Sequence, residues 1–181
     1  MYIKPLTRVK NNPTINWGHN GYTTSHIFEI KTIETESGFS FMMEKVEKSY
    51  YKTWHINEDD IADLNAIIYT EYSFGAYEND ELIAWAICDY RNWNNTIYID
   101  NFLIAEKYRN KGIGKQLIQA IKNKAKECAC RVVELETQNT NVPAIEFYLK
   151  QGFKITGINQ KLYDGENAEE VAIFMSFDIQ P

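Results

Sequence analysis

The stretch that most narrows what this chain can fold into runs from residue 96 to residue 125. Residues 96–104 alternate strictly: Ile97, Ile99 and Leu103 are expected on one side, and Tyr98, Asp100, Phe102 and Ile104 on the other. That is the period-two pattern of a half-buried strand. A glycine-bearing loop follows over residues 108–114. Then Leu117, Ile118, Ile121 and Ala125 recur at helical spacing and predict an amphipathic helix. A strand that passes through a short loop into a helix commits this half of the chain to a layered α/β arrangement.

The remaining elements extend that unit. Residues 132–137 predict a strand. Pro143 fits the first turn of a helix carrying Ala144, Phe147 and Tyr148, and Gly152 suits a left-handed stop. Residues 153–158 and 171–179 predict the closing strands. Upstream, residues 1–25 hold Pro5, Pro13, Gly18 and Gly21 with little periodicity and read as an irregular arm. Strands are expected over residues 27–34 and 38–52. Asn57 is placed to cap a helix that starts at Glu58, has Asp59 and Asp60 in its first turn, and carries a stripe of Ile61, Leu64 and Ile68. Residues 74–89 read as a hairpin turning at Glu78-Asn79-Asp80, and a polar loop, Asn92-Trp93-Asn94-Asn95, leads into the next strand. The order, strands first and then β-loop-α-β-α-β-β, predicts a mixed α/β or α+β fold. The expectation is one domain over residues 1–181.

Composition removes several function classes. A net charge of −6 argues against a nucleic-acid partner, which usually needs a basic face. It suits a cationic small molecule, and ordinary solubility accounts for it equally well. Cys88, Cys128 and Cys130 form no disulfide framework, and His19, His26 and His55 lie far from them in sequence, so no metal site is expected. No apolar run approaches the ~18 residues of a membrane span. The polar N-terminus lacks the apolar centre of a signal peptide, which points to the cytoplasm.

The loop Arg109-Asn110-Lys111-Gly112-Ile113-Gly114 carries legible chemistry. Glycines admit unusual dihedrals and close approach of a ligand. The following helix offers free N–H groups and the positive end of its dipole. Arg109 and Lys111 add charge, and the whole suits a pyrophosphate. The nucleotide-binding P-loop is excluded, because position 109 is not Gly and Gln116 follows Lys115. The dinucleotide pattern fails because Leu117 stands where its third Gly belongs.

R-x-x-G-x-G between a strand and a helix resembles the acetyl-CoA loop of the GNAT superfamily. Residues 141–153, N-x-x-A-x-x-F-Y-x-x-x-G-F, resemble that superfamily's second motif, in the expected order and spacing. Trp93-Asn94, Tyr98-Ile99-Asp100, Leu135-Glu136-Thr137-Gln138 and Leu162-Tyr163 are similar to streptothricin acetyltransferases, from about residue 27 onward. One departure is Asp100, where Glu would be expected. The resemblance implies a central, mostly antiparallel sheet with one splayed parallel pair, flanked by helices. It implies acetyl-CoA as cosubstrate, contacted by the backbone of Leu103, Ile104 and Ala105, by Arg109, Asn110, Lys111, Gly112, Ile113, Gly114 and Lys115, and by Asn141. It implies Tyr148 as general acid, backbone N–H groups near Leu103 for the oxyanion, and direct attack in a ternary complex.

An alkyl amine with a pKa near ~10.4 is mostly ammonium at pH 7, and deprotonating it costs roughly 4–5 kcal/mol. A carboxylate that takes the proton lowers that barrier. Asp100, directly or through water, and Glu136 are the candidates. Trp93, Tyr98, Asp100, Glu136 and Tyr163 are the candidate contacts for a cationic acceptor. The acidic run Asp164, Glu166, Glu169 and Glu170 reads as a solvated turn, with steering of cations as the alternative. Streptothricin is the expected acceptor. Another amine (a polyamine, an aminoglycoside or a protein N-terminus) and a non-catalytic acyl-CoA-binding module are the alternatives. Both monomer and homodimer are open.

Overall fold

The computed structural model describes residues 1–10 and 17–179. Its strands are β1 (Tyr2–Pro5), β2 (Gly21–Thr35), β3 (Gly38–Thr53), β4 (Phe74–Glu78), β5 (Glu81–Arg91), β6 (Thr96–Ile104), β7 (Val132–Gln138), β8 (Lys154–Asn159) and β9 (Ala172–Asp178). Its helices are α1 (Glu58–Ile68), α2 (Ile113–Glu127) and α3 (Val142–Lys150). Seven strands form one sheet in the order β1-β4-β5-β6-β7-β9-β8, and β2 and β3 form a two-stranded ribbon. β1–β4, β4–β5 and β5–β6 pair antiparallel, whereas β6–β7 pair parallel from Thr96↔Val132 to Ile99↔Leu135. The expected mixed α+β fold, mostly antiparallel with one parallel pair, is the fold observed. No helix among the described residues is long and apolar enough to cross a membrane.

Local chemistry explains the element boundaries. Asn57 Oδ1 accepts from the Asp60 N–H at 2.9 Å, and Asp60 Oδ2 accepts from the Asn57 N–H at 2.8 Å, a reciprocal capping box. Leu64 and Ile68 are the buried stripe of α1. Asn79 and Asp80 both take positive φ, 49° and 65°, which matches the twist of the β4–β5 hairpin. α2 buries Ile113, Gly114, Leu117, Ile118, Ile121 and Ala125. Gly152 takes φ 86° just past α3.

By contact, the chain divides into two compact units. The first comprises Met1–Asn20, Thr53–Leu135 and Ser176–Pro181. Its α1 face packs Leu6, Val9, Leu64, Ile68, Trp85 and Ile87 together, with Trp17 and Leu103 against them. The arm therefore differs from its reading as irregular. Tyr2–Pro5 pairs with β4, Leu6 and Val9 are buried, and β2 already begins at Gly21. Asn65 holds Val9 by both its N–H and its carbonyl, at 2.8 Å each. Pro5 obscured the strand in the sequence, but β1 is a sheet edge, where Pro is tolerated. Residues 11–16, Pro13 among them, lie outside the described residues.

The strict alternation of β6 also breaks. Ile87 pairs with Asn101 and Cys88 with Ile99, so Asp100 is an extra residue in a β-bulge. Leu103 consequently lies opposite Trp85, and Ile97 and Ile99 share their face with Phe102 and Ile104 instead.

The second unit comprises Gly21–Lys52 and Glu136–Met175. Tyr22 and Ile27 are buried near the root of the ribbon. α3 starts at the Asn141 cap, whose Oδ1 accepts from the Ala144 N–H at 3.3 Å, and buries Val142, Ile145 and Tyr148. Asn139 fixes the end of β7: it bonds Phe28 through both backbone and side chain, and Val171 likewise.

Candidate active site

The glycine loop of the first unit is a helix start without its own anion. Gly112 is the N-cap of α2 at φ 79°, ψ 3°, and no side chain caps the helix. The first turn holds no acidic residue, and Lys115 lies in it. A Cβ on Gly112 would meet nothing within 4 Å, so the space before the helix is open. Asn110 adds a second left-handed residue, φ 61°, and Lys111 lies 5.2 Å from the Tyr108 ring. Ile113 and Gly114 are buried in the first turn. N–H groups that no side chain caps, a positive dipole end and two lysines fit a pyrophosphate.

Arg109 has a second occupation. Its Nε donates to Ile104 O at 3.1 Å and its Nη2 to His19 O at 2.6 Å. Glu106 braces the same segment, accepting from the His19 N–H at 2.8 Å, while its own N–H donates to Trp17 O at 2.9 Å. Gly18 is required here because a Cβ would fall 2.3 Å from Glu106 Oε2. Arg109 and Glu106 thus clasp residues 17–19 and set the path from β6 into the loop.

The phase of the β5–β6 ladder narrows one expectation. Ala105 donates to Ile83 O at 3.0 Å, which makes Trp85↔Leu103 a hydrogen-bonded pair in the same ladder. The Leu103 N–H therefore points at β5, and the Phe102 and Ile104 N–H groups point away from it. Those two, on either side of Leu103, are the backbone donors near it that are directed off the hairpin.

Asp100 projects from the bulge and is exposed, yet surrounding protein still strips enough water to raise its pKa. The Arg91 guanidinium opposes that rise and Asp89 adds to it. Arg91 lies 3.5 Å over the Tyr98 ring, so the chain's own cation already covers one face of that aromatic. Trp93 is 81% exposed in the β5–β6 turn, at the opposite end of β6 from the glycine loop.

In the second unit, Glu136 and Tyr163 are brought together by a short hydrogen bond from the Tyr163 hydroxyl to Oε1. Burial raises the Glu136 pKa, and Tyr163, by donating, lowers it. The charge of Glu170 raises it further, and Lys52 offsets this. Burial, then Glu136, push the Tyr163 hydroxyl up. Tyr148 is buried edge-on between Phe147 and Phe153, with ring centroids 5.2 and 5.5 Å away. Asn141 spends its side-chain oxygen on capping α3.

Sequence reasoning missed Arg91, Asp89, Glu106 and Lys52, and placed Glu170 in an acidic run. Glu170 departs most from expectation: in place of a solvated turn residue it is 4% exposed, with Lys52 paired to it. Nothing local signals this, because its partners Lys52 and Tyr50 lie 118 and 120 residues away.

The profile of the acetyltransferase (GNAT) family matches residues 39–153. The chain belongs to the GNAT family and is an N-acetyltransferase. It is 30% identical to a streptothricin acetyltransferase of Streptomyces lavendulae, over 86% of this chain and 83% of that one. It is 31% identical to streptothricin acetyltransferase A of Bacillus subtilis, over 75% and 78%. Among solved structures it resembles a Bacillus anthracis protein described as a streptothricin acetyltransferase, in complex with acetyl coenzyme A. That likeness has a TM-score of 0.72 at 28% identity and covers 98% of each chain. A nourseothricin acetyltransferase is similar at TM-score 0.71 and 26% identity, over 90% and 89%.

Proposed function

We propose that this enzyme acetylates an amine of streptothricin with acetyl-CoA, a reaction that would inactivate the antibiotic inside the cytoplasm. The observation that carries this reading is the near full-length likeness to the Bacillus anthracis protein solved with acetyl coenzyme A. The likeness to named streptothricin acetyltransferases over most of the chain supports the acceptor. The uncapped, acid-free start of α2 supports the cosubstrate.

Acetyl-CoA supplies an activated acetyl thioester. Gly112, Ile113, Gly114 and Lys115 hold its phosphates by backbone N–H groups and charge, with Asn110 and Lys111 beside them. Arg109 sets the loop's path. Phe102 and Ile104 offer backbone N–H groups to the acetyl oxygen, where charge develops. Asp100 accepts the ammonium proton, directly or through water, and its raised pKa brings it nearer the working pH of a base. Glu136, held by Tyr163, binds the acceptor's positive charge. Tyr148 protonates the departing thiolate, and the amine attacks directly, without an acyl-enzyme.

The test is a panel scored by thiol release from acetyl-CoA: streptothricin, spermidine, an aminoglycoside and an N-terminal peptide. Streptothricin should give the highest kcat/KM. A higher value for another amine would reassign the acceptor. Acetyl-CoA binding with no release on any of them would favour a non-catalytic module.

A further inference from the structure

The second unit contains a charged group that the acetyl-transfer scheme does not use. Lys52, near the end of β3, and Glu170, just before β9, form an ion pair with side chains 12% and 4% exposed. Glu170 Oε1 accepts from the Tyr50 hydroxyl at 3.0 Å and from Thr140 Oγ1 at 2.7 Å. Tyr22 meets Thr140 Oγ1 at 2.6 Å. The segment that carries Glu170 also carries Tyr163, the residue bonded to Glu136. Glu136, bonded to Tyr163, and Gln138 share one face of β7, and Thr140, two residues on, meets Glu170. Glu136 and the buried ion pair are thus held by the same two stretches of chain, β7 with the residues just after it and the segment from Tyr163 to Glu170.

A buried ion pair is a poor device for stability alone. Desolvating both charges offsets most of their attraction, and apolar side chains of similar size often do better. Its electrostatic reach in a poorly solvated setting is long, however. The charged and titratable groups that bear on Glu136 are Tyr163, Glu170 and Lys52.

We propose that Lys52 and Glu170 are positioning residues that fix the charge Glu136 presents to the acceptor amine. The inference rests on the reading of Glu136 as the acceptor's ammonium contact. The two members act in opposite senses. Glu170 disfavours ionised Glu136 and Lys52 favours it, so the loss of either one alone unbalances the carboxylate.

The test is a carboxyl 13C NMR titration of Glu136, assigned by loss of its signal in Glu136→Gln, in wild type, Lys52→Met, Glu170→Gln and the double variant. Glu170→Gln keeps an oxygen for Tyr50 and Thr140 and should titrate lower by about one pH unit, the size expected of one nearby charge. Lys52→Met should titrate higher by a similar amount, and the double variant should return close to wild type. If Lys52→Met does not fold, Glu170→Gln and the double variant still decide the matter. A lowered midpoint in the first that returns in the second supports the pair, and an unmoved midpoint in both overturns it. Shifts in the same direction in both single variants also overturn it. A purely structural pair would lower Tm and leave the midpoint in place.

The pH profile of kcat/KM for the amine tests the underlying reading separately. Its acid limb should follow the NMR midpoints. A limb that stays fixed while the midpoints move would refute the role of Glu136 and leave the coupling standing.

Discussion

Gly112 offers a perturbation in which strain and occlusion can be separated. Its backbone lies at φ 79°, ψ 3°, a left-handed conformation that costs a residue with a Cβ about 1–2 kcal/mol. An added Cβ meets nothing within 4 Å, so no clash adds to that figure. For a chain of this length each kcal/mol lowers Tm by about 2–4 °C, so Gly112→Ala should melt roughly 3–6 °C below wild type. Asn tolerates the left-handed region better than Ala, so Gly112→Asn should lose less than half as much. Its larger side chain nevertheless enters the open space before α2. Differential scanning fluorimetry and initial rates of thiol release measure the two effects. The KM for acetyl-CoA should rise at least about threefold in both variants, and more in Asn, while the KM for the amine holds; threefold corresponds to about 0.65 kcal/mol of lost binding. A Gly112→Asn enzyme with wild-type KM would refute the placement of the phosphates at this helix start. A KM that rises only in step with lost Tm would assign the glycine to folding.

Tyr148→Phe should lower kcat tenfold or more with acetyl-CoA affinity retained, measured by steady-state rates and calorimetry, because it deletes one hydroxyl from a buried ring held by Phe147 and Phe153. Unchanged turnover would remove Tyr148 as the acid. Asp100→Asn should lower kcat and displace the pH–rate profile, and an unaltered profile would move the base role to Glu136 or water. The same substitution should raise Tm above the ordinary carboxylate range: the folded pKa of Asp100 is raised, so its ionised form opposes folding once pH exceeds the unfolded value. That gain should vanish as pH falls below the ordinary carboxylate range. A Tm difference that is flat with pH would contradict the raised pKa.

What was legible in the sequence was local. The Asn57 cap, the Asn79-Asp80 turn, the α2 stripe and the Gly152 stop each depend on residues a few positions apart, and each stands where it was expected. The bulge at Asp100 left no trace because both faces of β6 carry apolar residues beyond it, so the alternation in the sequence runs on across a break in register. The arm was misread because Pro5 and the glycines signal irregularity, while Leu6 and Val9 carry no periodicity that betrays burial. Within the candidate site, the glycine loop was legible as chemistry. The commitment of Arg109 to Ile104 and His19 was not, since its second partner lies 90 residues away. The Lys52–Glu170 pair was hidden for the same reason, because an acidic run beside a turn gives no hint that one member faces inward.

Transfer of acetyl from acetyl-CoA to a streptothricin amine is tested most directly by mass spectrometry of the reaction. Incubation with acetyl-CoA should convert streptothricin to a species heavier by one acetyl group, with stoichiometric thiol release and no acetyl on the protein. Recovery of unmodified streptothricin under conditions in which another amine of the panel is acetylated would contradict it.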